Sequence, residues 1–186
     1  VFVGGVWMSI DELEDVKEDF RSGRGPELLD APSHPTVARL HAYLEQKRQG
    51  RPFTDRGDIR PAEIAPLLPH LVVLDVLGGG NDFRVRIWGT ALVELMREER
   101  TGQLLSEFGR EPRIPTDATE LRRRWLTISK LTLKRREAIF FRSPTVSPKR
   151  AFMTYHGMFA PLTAGNAEIG QIFGIMVSVL HTGRQK

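Results

Sequence analysis

Tyr155-His156, His41, His70, two runs of arginine and lysine, and Gly78-Gly79-Gly80 are the residues whose types and spacing could support chemistry. A tyrosine beside a histidine offers a phenol and an imidazole for proton transfer. The pair lies in the strand-like run RAFMTYHGMFAPL (150–162), where successive side chains point to opposite faces, so the two cannot act on one substrate atom. The three glycines separate two strand-like runs and read as a hairpin rather than a phosphate loop. The chain has no nucleophile elbow, P-loop or HExxH. Its acids gather in an N-terminal arm and on helix surfaces, not as a pair near a glycine turn. The expectation is a protein that is not an enzyme.

The basic runs are Arg122-Arg123-Arg124 and Lys134-Arg135-Arg136, with a further basic turn at Ser147-Pro148-Lys149-Arg150. Three consecutive helical residues fan over about 200°, so one arginine of the first run must face inward or snorkel. The runs stand twelve residues apart, a little over three turns, and read as one basic stripe. The plainer use is a solvated helix face pairing with the acidic arm or a partner. The alternative function is nucleic-acid binding through Arg122, Arg123, Lys134 and Arg135, which predicts binding to duplex DNA that weakens steeply with salt.

Length and composition bound the rest. With 186 residues, 40% hydrophobic and 27% charged, the chain suits one ordinary globular domain. Net charge is +4, unevenly spread: residues 1–32 carry eight acids against three cations, a net of −5, which leaves +9 on the remainder. Zero cysteines remove disulfides, thiolate nucleophiles, iron–sulfur clusters and cysteine zinc sites. The opening VFVGGVWM lacks a basic flank and a cleavage site, so it does not read as a secretion signal. Met8-Ser9 looks like a natural start. No run reaches the roughly 18 apolar residues of a membrane helix, so no membrane partner is expected and a cytoplasmic location is.

Elements to hold these residues follow from periodicity. SIDELEDVKEDF (9–20) spaces Ile10, Leu13, Val16 and Phe20 as an amphipathic helix, and SGRGPELLDAP after it reads as linker. A helix signalled at Ser33, with Pro35 in its first turn and Gly50 at its end, buries Val37, Leu40 and Leu44. A short helix from Pro61 places Ile64, Leu67 and Leu68 on its buried side. LVVLDVL (71–77) is apolar on both faces, and FRVRIW (83–88) alternates, with Phe83, Val85 and Ile87 on one side. Two helical pieces precede the longest helix, 116–136, which faces inward through Leu121, Trp125, Ile128 and Leu131 or Thr132. Strands follow at 138–141, 150–162 and 168–180. The last projects Phe173, Ile175 and Val177 one way and Ile172 and Met176 the other, so it should lie centrally beside 71–77.

The fold class is α+β: a five-stranded antiparallel sheet with helices on one face and N-terminal helices preceding it. Those N-terminal helices, or a second subunit, must cover the other face. The organisation is an acidic extension over 1–32, one domain over 33–182 and a tail over 183–186.

That element order resembles a PAS domain. The segments "DIRPAEIAPLLPHLVVLDV", "RIWGTALVEL", "RTGQLLSEF" and "FAPLTAGNAEIGQIFGIM", in that order across about residues 35–180, resemble one bacterial PAS-like family of small proteins of unknown function. Two loops depart from its pattern: Arg97 stands where a helix-closing glycine is expected, and Ala164-Gly165 where an Asp-Gly turn is usual. The resemblance implies a sensory or regulatory module that dimerises or engages a regulatory protein partner. It also implies a small-ligand pocket between sheet and helices. Candidate lining residues are Val85, Ile87, Leu95, Trp125, Ile128, His156, Met158, Phe173 and Ile175; their plainer role is core packing. PAS-like domains bind haem, flavin or metabolites, but this chain indicates no required cofactor. The missing cysteine excludes a flavin–cysteine adduct, and haem would need His156, His70 or His41 as axial ligand.

Overall fold

A strand that is apolar on both faces needs a covering layer on each side, and the chain supplies both. The computed structural model describes residues 2–3, 6–7, 25–109, 118–146 and 152–180. The segment 9–20, the turn 147–150 and the tail 183–186 lie outside the described residues. In chain order the elements are β1 (Glu27–Leu29), α1 (Pro35–Arg48), β2 (Thr54–Asp55), β3 (Leu71–Leu77), β4 (Asp82–Trp88), α2 (Thr90–Met96), α3 (Ala118–Arg135), β5 (Ile139–Pro144), β6 (Met153–Thr163) and β7 (Ile169–Leu180). Short 3-10 segments occupy Arg56–Asp58, Pro61–His70, Gly78–Gly80 and Leu105–Glu107. A separate ribbon pairs Phe2–Val3 with Val6–Trp7.

The main sheet runs β1-β5-β6-β7-β3-β4, with β2 pairing in parallel at one end of β6. The five expected strands are β3 to β7, and the two apolar on both faces, β3 and β7, are hydrogen-bonded neighbours. Glu27–Leu29, read as linker from its flanking glycines and prolines, is instead an edge strand on β5. It caps a row of backbone groups that would otherwise be left unpaired, and Arg142 Nε donates to Glu27 at 3.0 Å across the pair.

On one face, α2, α3 and the Leu105–Glu107 turn bury Val72, Leu74, Phe83, Val85, Phe159 and Met176 beneath Leu121, Trp125 and Ile128. On the other, Val37, Leu40 and Leu44 of α1 and Ile64 and Leu67 pack over Val73, Phe140, Met158, Phe173 and Ile175. Helices therefore cover both faces, and of the two coverings expected for the second face it is the chain's own N-terminal part that supplies it. The α1 cap is His34, whose Nδ1 accepts from Thr36 N at 3.2 Å, one residue later than the Ser33 signal suggests.

The proline-rich lead-in folds as a 3-10 segment because Pro66 and Pro69 supply no N–H to an α-helical ladder. With three residues per turn, Ile64 and Leu67 share the buried side while Leu68 turns outward and is 38% exposed, correcting its expected burial. Arg97, in the expected glycine position, does close α2 in the left-handed conformation at φ 58°, a geometry that costs a non-glycine residue about 1 kcal/mol. No helix among the described residues is long and apolar enough to cross a membrane.

Candidate functional site

The expected alternation of β4 breaks at a bulge. Val73 pairs with Ile87 and Leu74 with Val85, so Arg86 is an extra residue in β4. Phe83 and Val85 face α3 as expected, but Ile87 is turned to the opposite side, 45% exposed, and Trp88 takes the inward place.

The nine candidate lining residues consequently divide between the two faces. Val85, Leu95, Trp125 and Ile128 lie with the α3-side core. Met158, Phe173 and Ile175 belong to the α1-side core, and the sheet separates the two groups. His156 lies near the start of α1: its Nδ1 is 2.7 Å from Ser33 Oγ, and its ring is 5.9 Å from that of His34. The sheet residues that lie on the Trp125 side are Phe141, Tyr155, Phe159 and Met176, which sequence reasoning omitted. Strand parity could have found them, because Ile172 and Met176 already define the α3-facing set of β7 and odd residues of β6 pack with it.

Beneath α3 the interior is largely aromatic. The Trp125 ring lies 5.2 Å from Trp88, 5.5 Å from Phe108 and 5.6 Å from Phe159 between centroids. Arg100, only 2% exposed, stacks 4.1 Å from the Phe108 centroid and pairs with Glu98 at 2.7 Å. Burial lowers the Arg100 pKa, and the Glu98 charge opposes that effect. No pattern around Arg100 marks it as buried, since Arg97 and Glu98-Glu99 give the stretch a surface character.

Among the described residues this layer holds a pocket of about 40 Å³ bounded by Leu121, Trp125, Ile128, Phe141, Tyr155 and Met176, with Arg124 and Ser143 as its polar edge. That volume holds two or three waters. It accommodates neither haem nor flavin, and its lining contains no histidine. His41 lies away from it, edge-on to Phe140 at 4.9 Å on the α1 side. His70 sits near His34, where burial first and the His34 charge second lower its pKa. These residues do not fit a haem site.

The basic runs do not form the expected stripe. Twelve residues rotate a helix by three turns and about a third, so the pairs that share a side are those eleven apart, Arg123 with Lys134 and Arg124 with Arg135. Arg124 is the inward arginine, 11% exposed, bonding Glu120, Ser143 Oγ at 3.0 Å and the Pro144 carbonyl at 2.6 Å. Arg123 also pairs with Glu120, Arg135 lies 3.8 Å from Glu137, and Arg136 stacks 4.9 Å from the Phe53 centroid.

On the opposite face an open groove of about 600 Å³ lies between the turn 56–58, the start of the proline-rich segment and the ends of β3, β4 and β7. Asp55 builds its wall: Oδ1 accepts from Gly57 N at 2.7 Å, and Oδ2 from Thr163 Oγ1 at 2.8 Å and Gly165 N at 2.9 Å. The Ala164-Gly165 loop departure is thus tied down by Asp55 instead of by its own turn residue. These donors, Gly165 first, hold the Asp55 carboxyl below the usual carboxylate range. Its folded pKa is depressed, so its stabilisation is complete above the ordinary value near 4 and fades as pH falls through the lower folded value. Asp55→Ala is expected to cost about 1–3 kcal/mol at pH 7. The difference from wild type in urea unfolding should shrink as the pH is lowered below about 4; a difference that does not shrink on acidification would refute the account.

The sequence model of one family, described as a PAS domain, matches residues 32–177. None of the curated proteins matches the chain. Among solved structures, that of an RNA-binding light-oxygen-voltage receptor aligns over 84% of this chain and 38% of that one, with 11% identity and a TM-score of 0.46. The chain spans well under half the length of that receptor.

Proposed function

Because the chain belongs to the PAS domain family, we propose that it is a cytoplasmic, non-catalytic sensory or regulatory module that takes its input beneath α3 and reports it by association. The observation that carries this reading is the cavity beside Trp125. It is apolar except at Arg124 and Ser143, which suits a small apolar molecule with one hydrogen-bonding group. Indole is larger than this space, so its entry requires α3 to shift from the aromatic layer that it covers. Output through a second copy or a regulatory partner is supported by Phe152 and Leu180, 52% and 59% exposed at adjoining ends of β6 and β7.

Two measurements test the halves separately. Indole at millimolar concentration is expected to raise the thermal midpoint of the wild type; no shift with indole or similar small aromatics would overturn the input half. Sedimentation at micromolar concentration is expected to show a dimer that Phe152→Asp with Leu180→Asp converts to monomer. A monomeric wild type, with and without indole, would overturn the self-association half.

A further inference from the structure

The groove on the α1 side carries an unassigned combination of groups. Its floor is the apolar face of the sheet at Val73 and Phe173, and its rim holds the exposed side chains of Leu68 and Ile87. Ile87 is there because of the β4 bulge, which also brings Arg86 to the rim. Three guanidinium groups border this apolar surface, from Arg56, Arg60 and Arg86.

Little within the protein satisfies them. The Arg56 side chain makes no hydrogen bond or ion pair among the described residues, although its carbonyl accepts from Ile59 N at 3.1 Å. Arg60 uses one nitrogen, Nη1, on the Gly57 carbonyl at 2.6 Å. Arg86 reaches Asp75 at a long 3.3 Å, and Asp75 also accepts from Gln171 Nε2 at 2.6 Å. The groove's own acid, Asp55, is engaged by its three bonds to Gly57, Thr163 and Gly165. Gln171 adds a buried Oε1 without a hydrogen-bond partner among the described residues. A volume of about 600 Å³ falls in the range of small-molecule sites, commonly about 300–1,000 Å³.

We propose that this groove is a binding site for a small organic anion, a carboxylate or phosphate head on an apolar body, on the face of the sheet opposite the Trp125 cavity. The head meets Arg56, Arg60 and Arg86, where charge-assisted bonds are stronger than neutral ones. The apolar body lies over Ile87, Leu68 and Phe173, removing exposed apolar surface from water. Single anions without a body lack the second contribution, and neutral amphiphiles lack the first. This assignment does not rest on the cavity beside Trp125.

Isothermal titration of the full chain with octanoate, octyl phosphate, 1-octanol and inorganic phosphate tests it. At least one of the first two is expected to bind, and their ratio distinguishes carboxylate from phosphate. Octanol and inorganic phosphate are expected to bind at least about tenfold more weakly. Arg56→Gln with Arg86→Gln is expected to reduce anion affinity at least about tenfold with an unchanged melting curve, whereas Trp125→Phe leaves it unaltered. Equal binding of the alcohol, or an affinity indifferent to the two arginines, overturns the assignment. So does a groove closed by self-association, seen as a dimer that octanoate leaves intact and Ile87→Asp separates.

Discussion

Gly89→Ala is expected to destabilise the fold by about 3 kcal/mol or more, the upper range for forced overpacking. Gly89 sits between β4 and α2 at φ −63°, so backbone freedom is not why glycine stands there. The reason is approach: a Cβ would lie 2.2 Å from the Pro69 carbonyl oxygen and 2.8 Å from that of Leu68. Both obstacles are backbone, so no rotamer change relieves them. The same contact is pinned by the Gly89 N–H donating to Leu71 O at 2.8 Å. This junction physically joins two of the sequence segments, "LLPHL" and "RIWGTAL". Urea unfolding measures the effect, with Gly170→Ala as control because its Cβ meets only the Ala164 side chain at 3.4 Å. The control is expected to stay within about 0.5 kcal/mol of wild type. Equal costs for the two variants would show that the close approach has no energetic weight.

Trp125→Ala is expected to cost about 3–5 kcal/mol, the range for deleting a large buried aromatic side chain. Its ring touches Trp88, Phe108 and Phe159, so the deletion removes contacts to three other rings and leaves a void continuous with the 40 Å³ cavity. Cavities lined by large apolar side chains admit aromatic molecules. Indole should therefore raise the thermal midpoint of Trp125→Ala by more than it raises that of wild type, as ligand linkage requires for a tighter site. Trp125→Phe keeps one ring and should fall between the two. A Trp125→Ala loss below about 1 kcal/mol would mean that the aromatic layer closes around the gap, contrary to the close packing described.

The pairing of β3 with β7 was legible because both are apolar on both faces, and only an interior position covers both. The α1 face was legible from Val37, Leu40 and Leu44 for the same reason: local periodicity states which side must leave water. The candidate site was less so. Ile87 changed sides because RVRIW contains a one-residue bulge, and every residue beyond a bulge inherits the opposite face. Met158, Phe173 and Ile175 are buried for the sake of a core, yet it is the core of the other layer, and His156 lies outside both, beside Ser33 at the start of α1. Burial has the same sequence signature on both faces of a sheet, so pooling residues from the two produced a pocket that the sheet divides.

Charge shows the contrast most clearly. The sequence by itself determined that arginines are abundant and that one of Arg122-Arg123-Arg124 must turn inward, because a helix cannot hold three neighbours on one side. It equally determined a two-faced sheet, the antiparallel strand succession and the proline-punctuated approach to β3. Only the tertiary structure decided that Arg124 is the inward one, that Arg100 is buried against Phe108, and that Arg56, Arg60 and Arg86 converge on one groove. Those three come from a turn, a proline-rich segment and a bulged strand. Each is placed by contacts distant in the chain, and a pattern read within one element has no term for where another element will come to rest.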